Sequence, residues 1–207
     1  MYDIVFISYK EPNAEENFSS LYERFNIVTM FGDRVKRVKD VKGIHNAHVA
    51  AASVVSTSYF YIVDGDAVIV DDFDFSYTTD DKDYVHVYKS INPINDLVYG
   101  YGGVKLFPTN LTKKMDTTTT DMTTSISKNF KIINEVANIT AFNTDPFNTW
   151  KSAFRECAKL SSKTIRRQKD DETNARLKTW TTVGHDRPFG KYALAGATAG
   201  MEFGLSG

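Results

Sequence analysis

Asp64 and Asp66 flank one glycine and close an apolar run, Tyr59-Phe60-Tyr61-Ile62-Val63. An aromatic and β-branched run of this length predicts a buried strand. Two unpaired carboxylates inside a core are too costly. The acids therefore belong at the strand's exit, where they either face a cation or form a plain acidic loop. In an extended Asp-x-Asp, residues i and i+2 point the same way. Both carboxylates then reach one hard divalent ion, directly or through water. Gly65 leaves room for a ligand close to the backbone.

Other stretches also carry chemistry-bearing residues. Arg37 to His48 places Lys42, His45, Asn46 and His48 around the start of an Ala-rich helix. A helix N-terminus favours anions, so this stretch is a phosphate contact or an ordinary surface turn. Gly100, Gly102 and Gly103 interrupt a strand-like segment, 98–108, and mark a bulge or a close approach of ligand to backbone. Asp145-Pro146 has the pattern of a helix N-cap followed by proline at the first helical position. Asp121 lies in threonine-rich residues 113–127, which have the composition of a mobile loop. The single cysteine, Cys157, excludes an internal disulfide and a cysteine zinc site.

The elements that must position these residues follow from periodicity. Strand 4–9, helix 13–25, strand 26–31, a Lys- and Arg-rich loop over 34–42, helix 43–58 and strand 59–64 are expected in that order. Strand–helix–strand–helix–strand with such crossovers predicts an α/β sheet with parallel neighbours. Such folds place ligands at the C-terminal ends of their strands. Further strands are expected at 84–88, 98–108 and 131–136, and a helix at 147–160. Residues 161–173 read as solvated helix or linker, and the tail from Trp180 as turns with a small-residue stretch.

The chain has 207 residues, 42% hydrophobic and 25% charged, which suits one globular domain. Residues 1–150 hold fourteen Lys and Arg against twenty Asp and Glu; residues 151–191 hold eleven against five. The basic segment 151–191 is a surface for an anionic partner or a solvated helix face. No run approaches the ~18 apolar residues of a membrane span. The N-terminus lacks a leader pattern, so a cytoplasmic protein is expected.

With Asp64-Gly65-Asp66 closing the third strand, the chain resembles the glycosyltransferases of the GT-A fold. The resemblance implies a single-domain, Rossmann-like mixed sheet flanked by helices. Residues 1–108 would be the nucleotide-sugar-binding half and 109–207 the acceptor-binding half. It implies that Asp64 and Asp66 hold Mn²⁺ or Mg²⁺ against the diphosphate of a nucleotide sugar. At the first strand's exit, Ser8, Tyr9 and Glu11 would cradle the nucleotide, with Tyr9 on the base and Glu11 on a ribose hydroxyl. Arg37, Lys42 and Asn46 would lie near phosphate, and Gly102 and Gly103 would border the donor sugar. Asp145 would be the base of an inverting enzyme, with Asp121 as the second candidate, although many inverting members carry Glu-Asp where this chain has Thr144-Asp145. His185 would supply a third metal ligand, oriented by Asp186, and Arg187 a diphosphate contact.

The stretches around Asp64, Gly102-Gly103-Val104-Lys105-Leu106 and Thr144-Asp145-Pro146-Phe147 are also similar to glycosyltransferases carried by bacteriophages. That similarity implies a UDP-sugar donor, and 5-hydroxymethylcytosine in viral DNA as acceptor for the basic segment. A surface-glycan acceptor stays open. So do a haloacid-dehalogenase-like phosphohydrolase with an Asp nucleophile and a non-catalytic nucleotide-sugar-binding domain.

Overall fold

The computed structural model describes residues 1–100, 102–163 and 169–207. Tyr101 of the glycine-rich stretch and residues 164–168 of the basic segment lie outside the described residues. Two compact units form: Met1–Ser90 with Val98–Thr140, and Ile91–Leu97 with Ala141–Gly207. The first unit thus runs past the 108/109 boundary drawn between donor and acceptor halves.

The first unit is α/β, a mixed sheet flanked by helices. Its elements are β1 (Asp3–Ser8), α1 (Ala14–Phe25), β2 (Val28–Thr29), β3 (Gly32–Asp33), β4 (Val35–Lys39), α2 (Ile44–Val54), β5 (Tyr59–Asp64), β6 (Ala67–Ile69), β7 (Val85–Ile91), β8 (Val98–Tyr99), β9 (Val104–Pro108), α3 (Thr109–Lys113), α4 (Met122–Ile126) and β10 (Phe130–Thr140). The sheet order is β4-β1-β5-β9-β7-β10-β6, with β8 beside β7. β1 runs parallel to both β4 and β5, and β9 runs antiparallel to β5.

Alternation along β5 explains its central place. Tyr59, Tyr61 and Val63 enter one core with Phe6, Phe73, Phe75, Tyr88 and Leu21 of α1. Phe60 and Ile62 enter the other with Val5, Val87, Phe107 and Ala51 and Ala52 of α2. A strand buried on both faces reads as a continuous apolar run. Each large side chain sealed here contributes about 1.5–3 kcal/mol.

Three expectations need correction. The second sheet strand is β4, not 26–31; residues 28–33 form a small β2–β3 hairpin whose tip, Met30 and Phe31, is 89% and 69% exposed. The supposed basic loop is this edge strand. Val35 and Val38 are buried, while Lys36 pairs with Asp3 at 3.4 Å and Arg37 and Lys39 pair with Glu15. An edge strand accommodates such charges, and their density disguised it. Second, the threonine-rich segment is not a loose loop. Met115, Met122 and Ile126 are buried in the α2-side core, and Asp116 and Asp121 organise its turns by accepting from Thr118 and Thr123.

The third correction concerns the tail, which lies in the second unit. There α5 (Pro146–Ser161), α6 (Asp170–Thr182) and α7 (Gly190–Ser206) are helices. The turns expected around Gly184 and Pro188 are present, but Gly190 opens α7, and the small-residue stretch continues that helix with Gly196, Gly200 and Gly204 as a smooth stripe. A Cβ on Gly196 or Gly200 would strike the carbonyl of Trp150 or Phe154 of α5, and one on Gly204 would lie 2.6 Å from the carbonyl of Ala158. Close backbone approach of two helices is what that spacing of four permits.

Candidate functional site

The parallel register sets Ile7 opposite Asp64, so the exits of β1 and β5 lie side by side. At the first exit Tyr9 is 48% exposed and its backbone N–H donates to Glu11 Oε1 at 2.6 Å. At the second, Gly65 and Asp66 form the turn between β5 and β6. The extended Asp-x-Asp expected from the sequence is therefore a bend. The chain must leave mid-sheet for the opposite edge, where β6 pairs with β10. Asn17 of α1 braces the bend, its amide donating to the Gly65 carbonyl at 3.0 Å.

Glu11 turns toward this bend. A Cβ on Gly65 would stand 2.5 Å from the Glu11 carboxyl carbon. The absent side chain is what lets a third carboxylate approach. Gly65→Ala is expected to drive Glu11 off its Tyr9 contact and to destabilise the turn by about 1–3 kcal/mol. Urea denaturation of the variant checks this; wild-type stability would show that Glu11 does not pack against Gly65.

Asp66 is the carboxylate that feels both of its neighbours. Burial, then the charges of Asp64 and Glu11, push Asp66 up to about 7. Asp64 is also raised by burial, against the opposing pull of Lys105, whose Nζ lies 3.5 Å from its Oδ1. Protein atoms crowd Asp64, yet its side chain keeps 40% of its surface open. Water therefore reaches one side of this carboxylate and moderates the rise.

The glycine-rich turn closes another side. Asp64 N–H donates to the Gly103 carbonyl at 2.9 Å, and Gly102 takes φ +81° beside the Lys105 stem. Gly103 leaves room for the amide of Asn138, which accepts from Ser90 at 2.7 Å. The structure thus brings together Asp64, Gly65, Asp66, Glu11, Gly102 and Gly103.

Other expected residues are engaged elsewhere. Arg37 binds Glu15 through two bonds of 2.8 and 2.7 Å and donates to Ser8 Oγ at 3.2 and 3.1 Å. This pairing holds Glu15 near 2. Lys42 and Asn46 are exposed, with the Asn46 amide on the Lys42 carbonyl at 3.3 Å. His48 is sealed in the core. Burial and the Lys105 charge drop it to about 3, so its neutral ring donates from Nδ1 to the Ile44 carbonyl at 2.7 Å. Asp121 caps α4.

Asp145, His185 and Arg187 belong to the second unit. Asp145 caps α5, accepting from Asn148 N at 2.7 Å and Asn148 Nδ2 at 2.6 Å, and these bonds lower its pKa. A carboxylate so stabilised is a weakened base. His185 is exposed in a turn beside Gly184 at φ +105°. Arg187 grips Asp96 at 3.1 and 2.6 Å and the Pro93 carbonyl at 3.0 Å. Among the described residues no three His, Cys, Asp or Glu side chains form a metal cage.

Lys105 and Asn17 escaped the sequence reading. The available signal for Lys105 was a lone charge within the apolar run Val104-Lys105-Leu106-Phe107. Asn17 offered none.

A mixed α/β sheet flanked by helices defines the structural class, and a known structure shares that fold. The mannosyltransferase PcManGT from Pyrobaculum calidifontis, in complex with GDP-Man and Mn²⁺, is 14% identical, with 97% of this chain and 74% of that chain covered at a TM-score of 0.51. HddC from Yersinia pseudotuberculosis is 12% identical over 69% of this chain and 92% of its own, at 0.42. A glycosyltransferase involved in glycosylation of the major capsid of PBCV-1 is 12% identical over 64% and 82%, at 0.37. Only the first value is high enough to establish a common fold. No protein-family model and no curated protein matches the sequence. No helix among the described residues is long and apolar enough to cross a membrane.

Proposed function

We propose that this chain is a metal-dependent glycosyltransferase that moves a sugar from a nucleoside-diphosphate sugar to an acceptor hydroxyl. The observation that carries the reading is the convergence of Asp64, Asp66 and Glu11 at the exit of β5, with Lys105 alone ion-paired there among the described residues. An excess of hard oxygen anions fits Mn²⁺ or Mg²⁺. Such ions are held by one or two carboxylates and complete their shells with water and substrate phosphate, so an all-protein cage is not required. Asp64 and Asp66 are the carboxylates assigned to the ion, and Glu11 stands behind them. When bound, the ion neutralises charge on the departing diphosphate. Tyr9 offers an exposed ring for the nucleotide base just past the exit of β1, the strand whose Ile7 pairs with Asp64. The mannosyltransferase that shares the fold was solved with GDP-Man and Mn²⁺, which agrees with this ligand class.

The finer donor and acceptor, a UDP-sugar and 5-hydroxymethylcytosine DNA, rest on the bacteriophage resemblance and the basic segment 151–191. Two of that segment's cations are already committed, Lys163 to Asp170 and Arg187 to Asp96. Those pairs reduce the charge available for phosphate.

A donor screen tests the function. Melting is followed with Mn²⁺ and UDP-, GDP- and TDP-sugars, alone and combined. One nucleotide with Mn²⁺ is expected to raise the Tm by roughly 5–10 °C at a hundredfold excess over Kd. No shift with any nucleotide, together with turnover of a phosphomonoester, would favour the phosphohydrolase reading instead.

A further inference from the structure

Asp64 and Asp66 are the same residue type two positions apart, but they are not equally partnered. Lys105 Nζ stands 3.5 Å from Asp64 Oδ1, and the lysine side chain is only 8% exposed. Among the described residues no Lys or Arg is ion-paired with Asp66 or Glu11. Lys105 stands on β9 opposite Ile62 of β5 and Val87 of β7, in a run that is otherwise apolar. A buried ammonium is costly, and hydrophobic replacement of a buried ion pair is often neutral or stabilising. Stability therefore does not explain a lysine here. The turn beside it packs on the lysine: Gly102, at φ +81°, has its Cβ position in ordinary contact with Lys105 Cδ at 3.4 Å and Nζ at 3.7 Å.

We propose that Lys105 is a resident counter-cation that makes the metal ion and the donor's diphosphate bind together. Its charge opposes a divalent ion arriving alone at Asp64, and it attracts the diphosphate once the ion is present. Both effects are Coulombic and opposite in sign. A lysine that merely supported the strand would weaken both ligands when removed. Lys105 acts on the ion through Asp64, so it is a positioning residue. The inference rests on the nucleotide-sugar reading above.

The test uses Mn²⁺ alone, followed by the electron paramagnetic resonance of the free ion, and then GDP and UDP titrated calorimetrically in saturating Mn²⁺. Lys105→Met keeps most of the stem and removes the charge. It is expected to bind Mn²⁺ about tenfold more tightly and the preferred nucleotide about tenfold more weakly. Lys105→Gln is expected to give the same signs, and it carries the test if the Met variant does not fold. Lys105→Arg keeps the charge and is expected to leave both affinities within about threefold. Unchanged or weakened Mn²⁺ binding in a folded neutral variant of a nucleotide-binding wild type overturns this inference alone. A wild-type protein that binds Mn²⁺ but neither nucleotide overturns the nucleotide-sugar reading, and this inference with it.

Discussion

Asp66→Asn is expected to abolish Mn²⁺-dependent nucleotide binding, to lower transfer by about three orders of magnitude, and at the same time to stabilise the metal-free protein at pH 8. The Asp66 carboxyl titrates at about 7 in the fold and near 4 in an unfolded chain. Between those values the folded protein holds a proton that the unfolded chain has lost. This group's contribution therefore favours the fold most below about pH 4 and worsens steadily up to pH 7. Above that the carboxylate stays charged in a place that resists charge. Asparagine removes the penalty. Melting at pH 8 should rise by several degrees, each kcal/mol being worth about 2–4 °C in a chain of this size. At pH 5 the gain should be smaller. Mn²⁺ should give wild type a similar rise at pH 8 and give the variant none. A variant with wild-type melting at pH 8 and intact Mn²⁺-dependent nucleotide binding would end the cation reading of this turn.

Gly200→Ala should be among the most damaging small substitutions in the second unit. Alanine is ordinarily the better helix former by about 1 kcal/mol, so an exposed site would gain. Here the new methyl would strike the Phe154 carbonyl, with Phe154 Cα at 2.8 Å. Those are backbone atoms, and no rotamer moves them aside. Separating α5 from α7 forfeits contacts along the whole stripe, and a net loss of about 1–3 kcal/mol is expected. Urea denaturation measures it. A variant at least as stable as wild type would show that the helices do not pack through these glycines.

The legible parts of this fold are those where local and tertiary demands agree. β5 is apolar on both faces because both faces are covered, so its run announced itself. α5 carries its own start signal in Asp145-Pro146, and the capping geometry follows it. β4 was illegible because an edge strand turns charge outward, and its Lys and Arg pair with acids distant in sequence, Asp3 and Glu15. α7 was left without an assigned helix because its small residues carry no periodic apolar stripe, and the use of its glycines, contact beside a second helix, is a property of the partner. At the site, the acids themselves were visible from their placement after β5. The roles of Glu11, Asn17 and Lys105 were not, because each is defined by what it meets across the sheet.

The jump from β5 in mid-sheet to β6 at the far edge ties the acidic turn to the order in which the chain is made. β6 lies only residues away from β5, yet its partner, β10, begins at Phe130. The glycine-rich turn that receives Asp64 also comes later than both acids. A nascent chain that has produced Asp64 and Asp66 therefore lacks the strands that hold them in place. Such distant pairings form late because loop closure must precede their reward. The proposed cation site at this turn would thus report, when it binds, that the whole sheet has closed.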